Sequence, residues 1–298
     1  MNSPSAALIV LNYHDVDRSL SVAESGIKTG LFQKIFLVDN ASDEASIAKI
    51  HKFQGRYPLV SCPIFSPKNL GWCAGTNLGL KQALSTNAFQ YLFAVNSDVA
   101  FSRESIAECL SFLESSPRYG AVAPLMKDSG GNLDYNWGLI PGFKDTLNSI
   151  FFFGERKFRK KEFANAPLIF SGSNPDVQWI RGSFIAFRAD ALRQTQLFDE
   201  RFFLYCGEYS LFIQLRDKGW KSAVINSASY QHNHIYRESF KPLRWKKKSN
   251  LKSTLLYLWY YQHASWLKRA FFWLASMLAL LEYDLIYLRL SLKQRKTK

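Results

Sequence analysis

Asn96-Ser97-Asp98 closes an apolar run, Tyr91 to Val95, in the stretch YLFAVNSDVAF. The run has the character of a buried strand, whereas Asp and Asn are poor strand residues and good turn residues. Either the triplet is a turn, or it brings a carboxylate to the carboxyl end of a parallel strand, where open α/β sheets bind ligands. Three further polar clusters stand at comparable places: Asn12-Tyr13, Asp39-Asn40, and the Gly- and Asn-rich NLGWCAGTNLG, with Asn69, Gly71 and Asn77. A turn explains any one of them; four in order on one sheet edge make a binding crevice. Glu208 opens a predicted helix, whose N-terminus favours the ionised carboxylate. His232 and His234, in YQHNHIYRES, end another apolar segment, and a neutral imidazole binds a metal through either ring nitrogen. Arg181, before Gly182-Ser183, has two readings: a contact for a diphosphate or acceptor, and a salt bridge.

The elements that would position these groups alternate. Strand-like AALIVLNY (6–13), KIFLVDN (34–40), LVSCPIFS (59–66), YLFAVNSD (91–98) and AVAPLM (121–126) are interleaved with helix-like 42–53, 75–84 and 102–116. Ser42 and Ser102 are the expected helix caps. The rhythm predicts an α/β fold with a mostly parallel central sheet and helices on both faces. Residues 127–176, with a basic patch at 155–163, are too long for an ordinary loop and are expected to be partly structured. Regular segments return at 177–192, 198–220 and 221–232.

The chain of 298 residues is 47% apolar and 15% aromatic, which excludes a disordered protein. Its four cysteines include no CxxC pair, so neither a zinc site nor a disulfide framework is indicated, and a reducing compartment is expected. The first residues, MNSPSAALIVLNYHD, have the pattern of a first strand and not of a signal peptide. The net charge of +14 is uneven: residues 237–298 hold 14 Lys+Arg against 3 Asp+Glu. A basic tail on a near-neutral body implies an anionic partner.

That tail has the pattern of a helix in which Trp259, Tyr260, Tyr261, Trp266 and Trp273 are mixed with Lys268, Arg269 and RWKKK (244–248). Aromatic and basic residues together suit a helix lying in a membrane interface. The longest uncharged apolar run, Ala270–Leu281, is about half of the ~20 residues needed to span, and Glu282 and Asp284 follow it. The expected division is therefore a catalytic unit over 1–240 and a basic, amphipathic, membrane-interfacial tail over 241–298.

With IVLNYHD, FLVDNASDE, NLGWCAGTNLGL, FAVNSD, RGSFIAFRADAL, FDERFFLYCGEYSLFIQLRDKGW and the pair Tyr260-Tyr261 in this order, the chain resembles the family 2 inverting glycosyltransferases of GT-A fold. The likeness runs from about residue 7 to about residue 262 and is nearest the rhamnosyltransferase-like members. It implies transfer of a sugar, rhamnose by subgroup, from a UDP- or dTDP-linked donor to a hydroxyl of a glycan or lipid-linked glycan in surface polysaccharide synthesis. It implies that Asp39 accepts from the nucleotide base, that Asn12 and Tyr13 line that pocket, and that Asn69, Gly71 and Asn77 flank nucleotide and sugar. Asn96 and Asp98 fall on the family's DXD-type motif, so that Asp98, with His232, would hold Mg²⁺ or Mn²⁺ against the diphosphate. Such ions bind through one or two carboxylates plus phosphate oxygens. Glu208 matches the family's catalytic base, in a segment where Gly207 and Ser210 replace acids usual there. The implied setting is cytoplasmic, peripheral on the inner face of the membrane. Rival readings are a nucleotidyltransferase, a non-catalytic protein of the same fold, and a nucleic-acid-binding protein; the apolar character of the tail counts against nucleic acid.

Overall fold

A computed structural model describes residues 5–152, 154, 157–158, 163, 166–233 and 240–296. His234 and most of the basic patch at 155–163 lie outside them. The strands are β1 (Ala6–Asn12), β2 (Lys34–Asn40), β3 (Ser61–Ser66), β4 (Tyr91–Asn96), β5 (Val99–Ala100), β6 (Tyr119–Lys127), β7 (Leu133–Asp134), β8 (Trp137–Gly138), β9 (Trp179–Ile180), β10 (Phe184–Arg188) and β11 (Lys221–His232). The helices are α1 (Val16–Thr29), α2 (Glu44–Arg56), α3 (Gly71–Ser85), α4 (Arg103–Ser115), α5 (Phe143–Ser149), α6 (Ala166–Phe170), α7 (Ala189–Arg193), α8 (Gly207–Asp217), α9 (Phe240–Tyr260) and α10 (Trp266–Lys296).

One large sheet runs β3-β2-β1-β4-β10-β6-β11-β5, with β7 on β6. Strands β1 to β4 pair in parallel, as do β6 and β11, whereas β10 is antiparallel to both β4 and β6. The sheet is thus mixed but mostly parallel. Both its faces are covered, which explains the near-continuous apolar runs of the central strands. Along β1, Ala7 and Ile9 enter one core cluster while Leu8 and Val10 enter the other.

Helix α1 is an addition to the elements expected from the chain. Its signals are quiet: Asp15 makes no side-chain cap, and the end is marked by Gly30, whose φ of 65° sets the left-handed turn. Helix α2 is capped by Asp43 and not by the expected Ser42. The Ser42 hydroxyl instead accepts from Asn12 Nδ2 and from the His14 backbone, both at 3.0 Å. Ser102 caps α4 as expected, in a reciprocal box with Ser105.

Helix α9 begins at Phe240 and packs in two directions. Tyr257 is fully buried in the main core and donates to Pro141 O at 2.7 Å. Leu251 and Leu258 join Phe272, Ala275 and Ala279 of α10, with Ile150, in a third cluster. Segment Trp266–Arg289 of α10 is long and apolar enough, by length and composition, to cross a membrane, although its uncharged run alone is too short. The two acids that interrupt that run face protein: Asp284 pairs with Arg244 at 2.8 Å, and Glu282 accepts from Phe152 N at 3.1 Å.

Candidate active site

Topology gathers the chemistry. In the parallel register, Asn12 lies beside Asp39 and Leu11 beside Asn96, so β1, β2 and β4 leave the sheet on one edge. Strand β11 runs the same way and delivers His232 there. Because β10 runs oppositely, its beginning arrives at that edge too, and Asn96 N donates to Ser183 O at 3.0 Å.

Asn12 and Asp39 form a buried pair. Asn12 Nδ2 donates to Asp39 Oδ1 at 2.6 Å, and Ser42 N donates to Asp39 Oδ2 at 2.9 Å. Asn12 Oδ1 accepts from Ser19 Oγ at 2.8 Å. Both residues are essentially inaccessible, so they form a hydrogen-bonded floor, while Tyr13 next to them is half exposed, its ring edge-on to His14. On the neighbouring loop, Asn40 and Asn69 brace one another: Asn40 Nδ2 donates to Asn69 Oδ1 (3.1 Å) and Gly71 O (3.0 Å), and Leu70 N donates to Asn40 Oδ1. Gly71 has φ of 80°, and a Cβ there would stand 2.3 Å from Phe203 O, so only glycine fits. Asn77 is turned to a different task. Its amide donates to Phe198 O and Glu200 Oε1 and accepts from Phe198 N, fastening the 198–200 turn to α3.

The three residues of the NSD triplet diverge. Asn96 Oδ1 accepts from Trp72 Nε1 at 2.9 Å. Ser97 Oγ donates to Asp15 Oδ2 at 2.9 Å, and Asp15 also pairs with Arg18. Arg18 in turn donates to Asn233 O at 3.2 Å, tying α1 to the end of β11. Asp98 Oδ1 lies 3.2 Å from His232 Nε2, both side chains largely buried. No group of three or more His, Cys, Asp or Glu able to hold a metal occurs among the described residues. The pair nevertheless suits a cation that takes its remaining ligands from phosphate and water. Two donors at right angles, each ~2.1 Å from an octahedral ion, are about 3 Å apart, close to the separation seen.

Glu208 sits in the first turn of α8, partly buried, and its Oε1 accepts from Gly182 N at 3.2 Å. Burial pushes its pKa up, opposed by the backbone N–H groups of Glu208 and Gly182 and by the Arg181 charge. Arg181 also stands 3.9 Å from Asp134. Before Glu208, Tyr205 and Cys206 both have left-handed backbones, with φ of 64° and 58°. Such non-glycine residues cost about 1–3 kcal/mol each and persist only where surroundings fix them. Here Ser253 Oγ of α9 donates to Leu204 O, and Thr254 contacts Cys206 Sγ. Gly207 lies against Cys73, where a Cβ would fall 2.1 Å from the sulfur. Ser210 donates to Gly207 O and accepts from Asp199 N. The two departures from the acidic pattern therefore have structural roles.

Sequence reasoning missed Trp72, Asp15 and Arg18. Besides its bond to Asn96, Trp72 fills the space beside Gly182, where a Cβ would fall 2.2 Å from Cζ2. Contact therefore runs unbroken from Asn96 through Trp72 and Gly182 to Glu208. A Trp between two small residues of a polar loop was the available signal. Asp15 and Arg18 depend on α1, which was not foreseen.

Comparison with known proteins gives three kinds of likeness. The model of the family described as Glycosyl transferase family 2 matches residues 13–175. A Mycobacterium tuberculosis protein named N-acetylglucosaminyl-diphospho-decaprenol L-rhamnosyltransferase is 25% identical over 274 residues, 89% of this chain and 86% of its own length. The rhamnosyltransferase WbbL of Escherichia coli K12 is 27% identical over 173 residues, 56% of this chain and 61% of its own. Among solved structures, GalNAc-T7 with UDP, GalNAc and Mn²⁺ superposes with TM-score 0.63 at 13% identity, over 86% of this chain. The match spans about half of that protein, 48% of its chain. The mannosyltransferase PcManGT of Pyrobaculum calidifontis, with GDP-Man and Mn²⁺, gives 0.57 at 13% identity, over 95% of this chain and 73% of its own. These structures share the GT-A fold of the sheet described above.

Proposed function

The chain belongs to glycosyl transferase family 2, and on that footing we propose that it transfers a sugar, with inversion, from a UDP- or dTDP-linked donor to a hydroxyl of a lipid-linked glycan in surface polysaccharide assembly. Rhamnose is the favoured sugar, since both relatives are named rhamnosyltransferases, and the mycobacterial name specifies a diphospho-decaprenol acceptor. Family membership removes the nucleotidyltransferase alternative.

The observation that carries the proposal is Glu208 at the start of α8, held by Gly182 N and linked by contact to the exit of β4. As the acceptor oxygen attacks the anomeric carbon, its proton passes to a Glu208 carboxylate oxygen while the bond from that carbon to the diphosphate oxygen breaks. Attack from the opposite face inverts the configuration. A base with a raised pKa takes a proton more readily near neutral pH, and burial raises that of Glu208. Arg181 and the two backbone N–H groups act the other way and keep the carboxylate ionised until it is used. Asp98 and His232 are the residues that would hold Mg²⁺ or Mn²⁺, whose charge stabilises a departing nucleoside diphosphate. Asn12, Tyr13 and Asp39 form the nucleotide side, and Asn69 and Gly71 shape the loop beside it. Asn77 contributes through the 198–200 turn. The work place is the inner face of the cell membrane, with the basic C-terminal helices against an anionic surface.

The test is a panel of nucleotide sugars assayed for hydrolysis and transfer, with and without Mn²⁺. Turnover of a dTDP- or UDP-linked sugar only with the cation supports the proposal. No turnover of any donor would favour the non-catalytic protein of the same fold.

A further inference from the structure

Leu267, Phe271, Leu274, Leu278, Leu281 and Leu285 of α10 follow one another at alternating steps of four and three residues, and each is more than half exposed. The series ends at Leu288 and extends about 30 Å along the helix. Trp266, Trp273 and Met277 are exposed beside it. From Trp266 to Arg289 no exposed residue is acidic: Glu282 and Asp284 are both half-buried, bound to Phe152 N and Arg244. An apolar surface of this extent on a soluble protein marks an interaction site.

We infer that α10 lies in the plane of a membrane, with this face immersed in one leaflet and its opposite face still docked on α9. The inference deepens the membrane setting proposed above and rests on it for the choice of lipid. Two features select lipid over a second copy of the chain. The spacing alone would suit a coiled-coil seam, but such a seam is narrow and bordered by charges that pair across it. Here the apolar face widens through Trp273 and Met277, and the basic charges lie at its ends. Lys268 stands at one end and Arg289 at the other, both exposed, with Lys252 of α9 also exposed. Basic groups and Trp around an apolar face match an anionic interface. The docked side selects lying over crossing. Phe272, Ala275 and Ala279 are buried within the protein, and Asp284 and Glu282 bind Arg244 and Phe152 N. A crossing helix would expose both acids to hydrocarbon, which is costly.

The experiment is flotation of the full chain with vesicles of phosphatidylglycerol and phosphatidylethanolamine, beside L274E/L281E. Both positions are exposed, so the variant should match wild type in circular dichroism and thermal unfolding. Expected are binding by wild type, release by alkaline carbonate, tryptophan quenching by bromolipids, and a partition roughly tenfold or more weaker in the variant. Binding that survives carbonate would overturn the placement in favour of a crossing helix. A wild-type chain that ignores vesicles and sediments as a dimer dissociated by L274E/L281E would overturn it in favour of a second copy. Flotation needs neither donor nor acceptor, so its failure leaves sugar transfer to its own assay.

Discussion

Trp72 Nε1 donates to Asn96 Oδ1 at 2.9 Å while the same indole ring fills the space over Gly182, whose backbone N–H binds Glu208. One side chain therefore fixes the distance between the proposed diphosphate end and the proposed base. Trp72→Phe keeps most of the ring and loses the donor. Its expected effect is about 1 kcal/mol in stability, the usual size for one hydrogen bond, with a larger loss in kcat than in donor affinity. Thermal unfolding and steady-state kinetics of the purified variant check this. Equal kinetics to wild type would make Trp72 packing alone.

Asp98→Asn should nearly abolish transfer and leave the fold intact. Asp98 supplies the carboxylate of the Asp98–His232 pair, and hard cations bind weakly without one. A Mn²⁺ titration followed by both turnover and calorimetry reads the two effects separately. Full turnover of the variant under excess chelator would remove Asp98 from cation binding.

Glu208→Gln should keep nucleoside diphosphate affinity and reduce transfer by ~10²–10⁴-fold, the usual contribution of a general base. The pH profile has a defined sign. The active form is the carboxylate, and burial raises its pKa, so the acid limb of the wild-type rate should lie above the ordinary Glu value of about 4.3. Folding sees the same shift in reverse. With a folded pKa above the unfolded one, the native state holds the proton more tightly, and stability falls as pH rises through that interval. Glu208→Gln should consequently unfold at a higher temperature than wild type at neutral pH. A lower one would mean that the Gly182 contact outweighs burial.

Gly207→Ala should destabilise the protein by about 1–3 kcal/mol, as overpacking does, because the new Cβ meets Cys73 Sγ. Adding Cys73→Ala should recover much of the loss. A double-mutant cycle by denaturant unfolding measures the coupling; strictly additive changes would contradict the packing described.

A chain ended after Lys241 should lose cooperative unfolding. It lacks Tyr257, fully buried in the main core, and Tyr261, whose hydroxyl donates to Asp199 at 2.9 Å. Near-ultraviolet circular dichroism of the shortened protein decides the matter, and a native-like melt would show that the helices are dispensable for the fold.

The sheet was legible because its strands are buried on both faces and so stand out as unbroken apolar runs between polar exits. Val10 and Val38 need no partner to be recognised. Asn12, Asp39 and Asn96 were legible for the complementary reason: a polar residue that closes a buried run serves either a turn or a site, and three on one edge favour the site. Helix α1 was not, since its apolar residues are diluted by Ser and Glu and its start lacks a capping side chain. Antiparallel β10 was also hidden, because an apolar run such as FIAFR carries no sign of strand direction, and only that direction brings Arg181 and Gly182 to the site. In the tail, counting along the chain could not show the apolar face. Glu282 and Asp284 interrupt the sequence but not the apolar face, since the helix turns them toward Phe152 and Arg244.

The bond from Ser253 to Leu204 spans 49 residues in the direction of synthesis. At roughly 5–20 residues per second, the segment before Glu208 emerges seconds ahead of the helix that holds its left-handed turn at Tyr205 and Cys206. During translation the nucleotide-side strands β1 to β4 can pair early, while the turn waits for α9. The proposed base is thereby set late: a chain terminated before α9 would lack the contacts that hold the turn before Glu208.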